Sequence, residues 1–182
     1  MKSTVVLYLS ILAACSSGSR FPELHEFPIN DQSFKGKVIF QELSSTTGFK
    51  VLLLNQSGEI TDQTIFRYVP YRFDTADVNQ DGKTEIIVGL TKATRFDPSE
   101  KKRLFILRID DNQIRPMWLG SKVCQELIDF KSLDNGYLQT LERTTAGKFS
   151  IGKYYWQSFG LTLENYTHNE ITLDYANQIF RN

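Results

Sequence analysis

The chain has 182 residues, which suits one domain with a substantial core. Lys plus Arg and Asp plus Glu both total 21, so the formal net charge is zero. That balance argues against a nucleic-acid binder, which needs a basic face to neutralise phosphates, and against a charged disordered tail. Aromatics make up 13% of the residues, mostly Phe and Tyr, which favours strands over helices.

The chain opens with "MKSTVVLYLSILAAC", in which one early Lys precedes an apolar run from Val5 to Ala14. The run is too short for a bilayer, which takes roughly 20 apolar residues. It has the proportions of a secretory h-region followed by small residues at a cleavage point. Its ending "LAAC", Leu12 to Cys15, resembles the lipobox of bacterial lipoproteins. The alternative is an ordinary secretory signal that ends near a cysteine. The resemblance implies that the preceding peptide is removed, that Cys15 is lipidated, and that the protein is held at the membrane through acyl chains. Two such chains anchor stably, at ~0.8 kcal/mol for each buried methylene. Ser16 stands where an inner-membrane retention signal would show Asp, so the resemblance leans toward the outer membrane of a bacterial envelope. Residues 16–20, "SSGSR", read as a flexible tether. The expected division is a signal peptide over 1–14, the lipidated cysteine and tether over 15–33, and one all-β domain over 34–182.

Strand-like segments then follow one another. "KVIFQEL" (37–43) and "FKVLLLN" (49–55) are separated by a turn-rich break, and "QSGEI" gives a further turn. "TIFRYV" (64–69), "YRFDTADV" (71–78), "TEIIVGLTK" (84–92) and "RLFILRID" (103–110) come next, with the polar excursion "ATRFDPSEKK" between the last two. "DDNQ" is a hairpin turn before "IRPMWLG", and "ELIDFKSL", "GYLQTLERT", "FSIGKYYWQ" and "GLTLENYT" complete the series. "DYANQIF" near the end reads either as a helical turn or as a last strand. No stretch shows a long helical period.

Stacked, these segments form a weak repeat. "FDTADVNQDGKTEIIVGL" is similar to "LIDFKSLDNGYLQTLERT" about fifty residues later. The opening unit fits the same scheme without the Asp-rich turn. Three units of four strands match the size of propeller blades, and three blades do not usually close a ring. The expected fold is therefore all-β, a propeller-like repeat assembly that is incomplete or open, with a two-sheet β-sandwich as the alternative.

The stretch "DVNQDGKTE" (77–85) places oxygen-bearing side chains at alternate positions. Calcium takes six to eight oxygens from a flexible loop. Asp77, Asn79, Asp81, the carbonyl of Lys83 and Glu85 can supply five, with Gly82 permitting the sharp turn. An EF-hand does not fit, because its twelfth position would be Val88 and an apolar strand follows the loop. The loop resembles those of FG-GAP and related VCBS-type propeller repeats, which carry D-x-[DN]-x-[DN]-G-x-x-[DE] before a strand. That resemblance implies a Ca²⁺ ion acting as a structural staple. The other reading is an Asx-rich turn held by side-chain to backbone bonds.

Few residues suggest catalysis. His25 and His168 read as loop histidines, and Cys124, flanked by apolar residues, as a small buried thiol. Arg115, Trp118, Tyr154 and Trp156 form a candidate binding face, weighed against plain core packing. The expected function is a non-catalytic binding or scaffold module of the envelope. Its partners would be the membrane, an envelope protein or a glycan, and not nucleic acid. An envelope enzyme acting on glycans, or an accessory subunit of an envelope complex, is the alternative.

Overall fold

The structure, a computed structural model, describes residues 25–43, 47–95, 97–120 and 123–181. Cys15 and the signal-like segment lie outside them. Three four-stranded antiparallel sheets follow one another along the chain. The first contains β1 (His25–Asn30), β2 (Lys35–Glu42), β3 (Phe49–Asn55) and β4 (Ile60–Phe66). The second contains β5 (Val69–Ala76), β6 (Glu85–Thr94), β7 (Asp97–Asp110) and β8 (Gln113–Leu119). The third contains β9 (Glu126–Ser132), β10 (Leu138–Arg143), β11 (Phe149–Gln157) and β12 (Gly160–Ile171). Each sheet is a simple meander in which every strand pairs with its sequence neighbours. Short turns make this possible. Between β7 and β8, Asp111 and Asn112 both take positive φ, 51° and 59°, the conformation that lets a two-residue hairpin follow the strand twist.

The sheets stack in chain order. Alternate residues of β2 and β3 (Val38, Phe40, Phe49, Val51 and Leu53) pack against Ile86, Val88, Leu90, Phe105 and Leu107 of the second sheet. The other face of that sheet, with Ile87, Leu104 and Ile106, meets Phe130, Leu138 and Tyr154 of the third. A strand buried on both faces reads as a continuous apolar run, which is why "EIIVGL" in β6 does not alternate. The outer face of the third sheet, through Leu141 and Ile151, is covered by Ala176 and Phe180 of helix α1 (Leu173–Arg181). The first and third sheets share no core among the described residues. The fold is an open all-β stack, not a closed ring.

Polar ties hold the first strands of successive sheets side by side. Arg72 on β5 binds Asp129 on β9 through two parallel bonds, Nε to Oδ1 at 2.6 Å and Nη2 to Oδ2 at 2.8 Å. Asp74 accepts from both the backbone N–H and the hydroxyl of Ser132, at 2.8 and 2.7 Å. At the outer strands the Ile114 N–H donates to Asp62 at 2.7 Å.

Two expectations need correction, and one open reading is decided. The assigned tether, 15–33, contains β1, whose Phe27 and Ile29 alternate inward. Pro28 is tolerated there because β1 is an edge strand, and His25 lies on this strand beside Phe73. The segment "DYANQIF", which read as a helical turn or a last strand, is helical and lies within α1. The nine residues of α1 are too few for a period to stand out, and the helix is held by packing on the sheet, with Asp174 in the first turn and Arg181 in the last suiting the helix dipole. Cys124 is exposed, because it sits between β8 and β9 while Val123 and Leu127 turn inward.

Candidate functional site

The loop 77–84 joins β5 to β6. Val78, 1% exposed, pins it to the core between the second and third sheets. Around that anchor the side chains satisfy the loop's own backbone. Asp77 accepts the N–H of Asp81 at 3.0 Å and of Gly82 at 2.9 Å. Asn79 Oδ1 accepts the Asp81 N–H at 3.1 Å, and Asp81 accepts the Lys83 N–H at 2.9 Å. Asn79 Nδ2 also donates to Asp81 at 3.0 Å. Gly82 takes φ of +80°, a left-handed turn that suits a residue without a side chain.

Glu85 opens β6 and differs from the rest. It is 2% exposed, and its Oε2 accepts the Val78 N–H at 2.8 Å. Burial pushes its carboxyl up, the charges of Asp81 and Asp77 add to this, and backbone N–H groups of Val78 and Asn79 oppose it; the result is about 7. None of the ion pairs among the described residues includes it. A small cavity of about 90 Å³ lies beside it, lined by Asn79, Asp81, Lys83, Arg108 and Asp110 among others.

Two neighbouring turns buttress the loop. Asp31, between β1 and β2, accepts the Thr84 N–H at 2.7 Å while also closing its own turn through Ser33 and Phe34. Burial raises the Asp31 carboxyl, but hydrogen bonds from Ser33 and Thr84 outweigh it and hold it at about 2. From the turn between β9 and β10, Asn135 offers its carbonyl to Gln80 at 2.9 Å. Gly136 lies so close that a Cβ there would sit 2.5 Å from the Asp77 carbonyl. Equivalent turns of all three sheets therefore meet along one side of the stack, at the ends of the strands. The first unit does have an Asp turn, Asp31, although it lacks the ligand spacing.

The donor set, three carboxylates, an amide oxygen and a backbone carbonyl, has the hard-oxygen chemistry that calcium selects. Among the described residues no three His, Cys, Asp or Glu side chains converge as an ion cage. The carboxylates instead cap the loop, and each oxygen so used keeps a second lone pair. Glu85 is the feature that a cation would satisfy, being a buried carboxylate whose charge is disfavoured by burial and by Asp81 and Asp77.

The candidate binding face is not assembled as one surface. Arg115 is exposed on β8, but Trp118 is 9% exposed and Tyr154 1% exposed, both in the core between the second and third sheets. Trp156 packs partly buried against the same core. Alternation places Tyr154 and Trp156 on one face, and that face is turned inward. Tyr154 serves a polar network that sequence reasoning missed. Glu142, fully buried, accepts from Tyr154 Oη and Thr140 Oγ1 at 2.7 Å each, from the Gln125 N–H at 2.8 Å and from Tyr166 Oη at 3.2 Å. His168 and Tyr175 contact one another at the helix-covered side, with ring centroids 6.2 Å apart.

Comparison with protein-family models, with curated proteins and with solved structures found no match.

Proposed function

We propose that this chain is a non-catalytic binding or scaffold module of a bacterial envelope. It is anchored in the membrane, with the outer membrane favoured, through a lipidated Cys15, and its loop 77–85 is stapled by Ca²⁺. The lipobox-like "LAAC" supports the anchor. The observation that carries the staple is Glu85, which is almost wholly buried and whose carboxyl is raised to about 7, first by burial and then by the charges of Asp81 and Asp77. Asp77, Asn79, Asp81, the Lys83 carbonyl and Glu85 would hold the ion. A bound ion supplies positive charge that offsets their repulsion and cross-links the two ends of the loop. The exposed Phe159, 87% accessible at the β11–β12 turn, favours a second reading as an accessory subunit that buries this tip in a partner.

Thermal melting of the mature chain in detergent tests the staple. At an extracellular-type Kd, millimolar calcium contributes roughly 0.5 to 1.5 kcal/mol, so Tm rises by a few degrees relative to chelator. Magnesium does less, because it holds its waters and demands octahedral geometry. Asp81→Ala removes the calcium response and leaves the strand content intact. Identical melting of the parent chain in calcium and in chelator overturns the staple.

A further inference from the structure

Register fixes what the outer face of the first sheet presents. Val38, Phe40, Val51 and Leu53 point into the core, so the residues that alternate with them point out. One outward row runs Glu26, Ile39, Leu52, Gln63 across the four strands. The next runs Pro28, Lys37, Leu54, Ile60, and a third sets Gln41 beside Lys50 and Lys50 beside Ile65. Ile39, at the centre, is 9% exposed, Leu52 and Leu54 are partly open, and Ile60 and Ile65 are 57% and 48% exposed. None of these five belongs to an apolar cluster among the described residues.

The charge around this apolar centre has one sign in excess. Lys35, Lys37 and Lys50 stand on the face against Glu26 alone, which leaves two positive charges. Glu26 is taken by Lys37 at 2.7 Å, and neither Lys35 nor Lys50 enters an ion pair among the described residues. Glu59 and Arg67, just beyond the two ends of β4, cancel one another.

We propose that this face docks on an anionic lipid surface, with Ile60 and Ile65 at the boundary between headgroups and acyl chains and the lysines among the phosphates. Apolar side chains ringed by cations are what an interfacial element offers such a surface. A second copy of the chain fits less well. Four strands ~4.8 Å apart and about seven residues long make a face of roughly 450 Å², about half of the ~800 Å² per partner in a stable interface. Two such faces would also set lysines against lysines. The inference deepens the proposed function and rests on its lipid anchor. His25 opens β1, at the edge of this sheet, and the ten residue steps from Cys15 to His25 span at most ~36 Å. Packed sheets lie ~10 Å apart, so the first sheet is nearer to the anchor than the third by about 20 Å. An anchored chain needs only weak affinity to dock, because the second contact is intramolecular.

The test places the full protein in phosphatidylcholine vesicles with and without phosphatidylglycerol, both with acyl chains brominated to quench tryptophan. Ile65→Trp adds a reporter on the face, and Phe159→Trp adds one at the far tip of the third sheet; Ile65 is exposed, so its replacement leaves the fold intact. The added emission of Ile65→Trp is blue-shifted and quenched in the anionic vesicles, less so in the neutral ones or at high salt, and that of Phe159→Trp is not quenched. Replacing Lys35 and Lys50 together by Gln lowers the ratio of docked to undocked chain by at least about tenfold. Flotation with the vesicles and the mass of Cys15 read the anchor separately. A lipidated chain that floats while Ile65→Trp is quenched no more than Phe159→Trp overturns the docking and spares the anchor. An unlipidated chain whose Ile65→Trp is still quenched by anionic vesicles upholds the face and overturns the anchor, and an unlipidated chain without quenching overturns both. A blue shift without bromine quenching that grows with protein density assigns the face to a second copy and overturns the proposal.

Discussion

Glu85 makes the stability of the protein in chelator depend on pH in an unusual direction. Its carboxyl is raised from an ordinary 4.5 to about 7, so between those values the folded state binds more protons than the unfolded one. Stability from this group is complete below pH 4.5 and is lost as pH rises toward 7, by an amount of order 1–3 kcal/mol. Asp31, held at about 2, acts oppositely, but its gain is complete above pH 4. In chelator, therefore, both Tm and the urea midpoint fall between pH 5 and pH 7. Calcium flattens the fall by offsetting the charge, and Glu85→Gln removes it together with the calcium response. A pH-independent Tm for the parent chain in chelator contradicts the assignment. Glu85 was legible because its neighbours in space are its neighbours in sequence. Asp31 and Glu142 were not, because their partners Thr84 and Gln125 lie 53 and 17 residues away.

Strand β6 shows what a single small residue does for an element. Gly89 faces the third sheet, where an added Cβ would lie 2.6 Å from Tyr71 Cζ and 2.8 Å from Phe130 Cε1. Both rings are held: Phe130 is fully buried, and the Tyr71 hydroxyl donates to the Arg103 carbonyl at 3.3 Å. Gly89→Ala therefore overpacks the interface and destabilises by about 1–3 kcal/mol. A lower urea midpoint at unchanged slope would show this; an unchanged midpoint would mean that the two sheets can separate without loss. Most strands were readable from alternation and from turn residues such as Asp111 and Asn112. β1 was hidden by Pro22 before it, by Pro28 within it, and by its place at a sheet edge. The hairpin of β6 and β7 extends through the polar "DPSEKK", because Asp97, Lys101 and Arg103 pair along it and need no apolar face.

The fifty-residue spacing of similar segments corresponds to one sheet each, so the order of the whole stack was visible in the sequence. What covers its two ends was not, because capping depends on which face remains after the stack is built. Anchoring also belongs to the whole molecule. Cys15→Ala is expected to shift the protein from the membrane pellet to the soluble fraction or to leave the precursor uncleaved, as read by fractionation and mass spectrometry. An unlipidated N-terminus on the parent chain, with unchanged fractionation, would contradict this. The ends of the stack are unequal. Helix α1 closes the third sheet, whereas among the described residues no core includes the outer face of the first, where Leu52 and Leu54 stay partly open and Ile65 is 48% exposed. In the language of polymerisation, blades that stack face to face are bifunctional monomers, and α1 is a chain stopper. Among the described residues one reactive end is left, so stacking through the sheets alone would yield a pair and would not propagate into a filament.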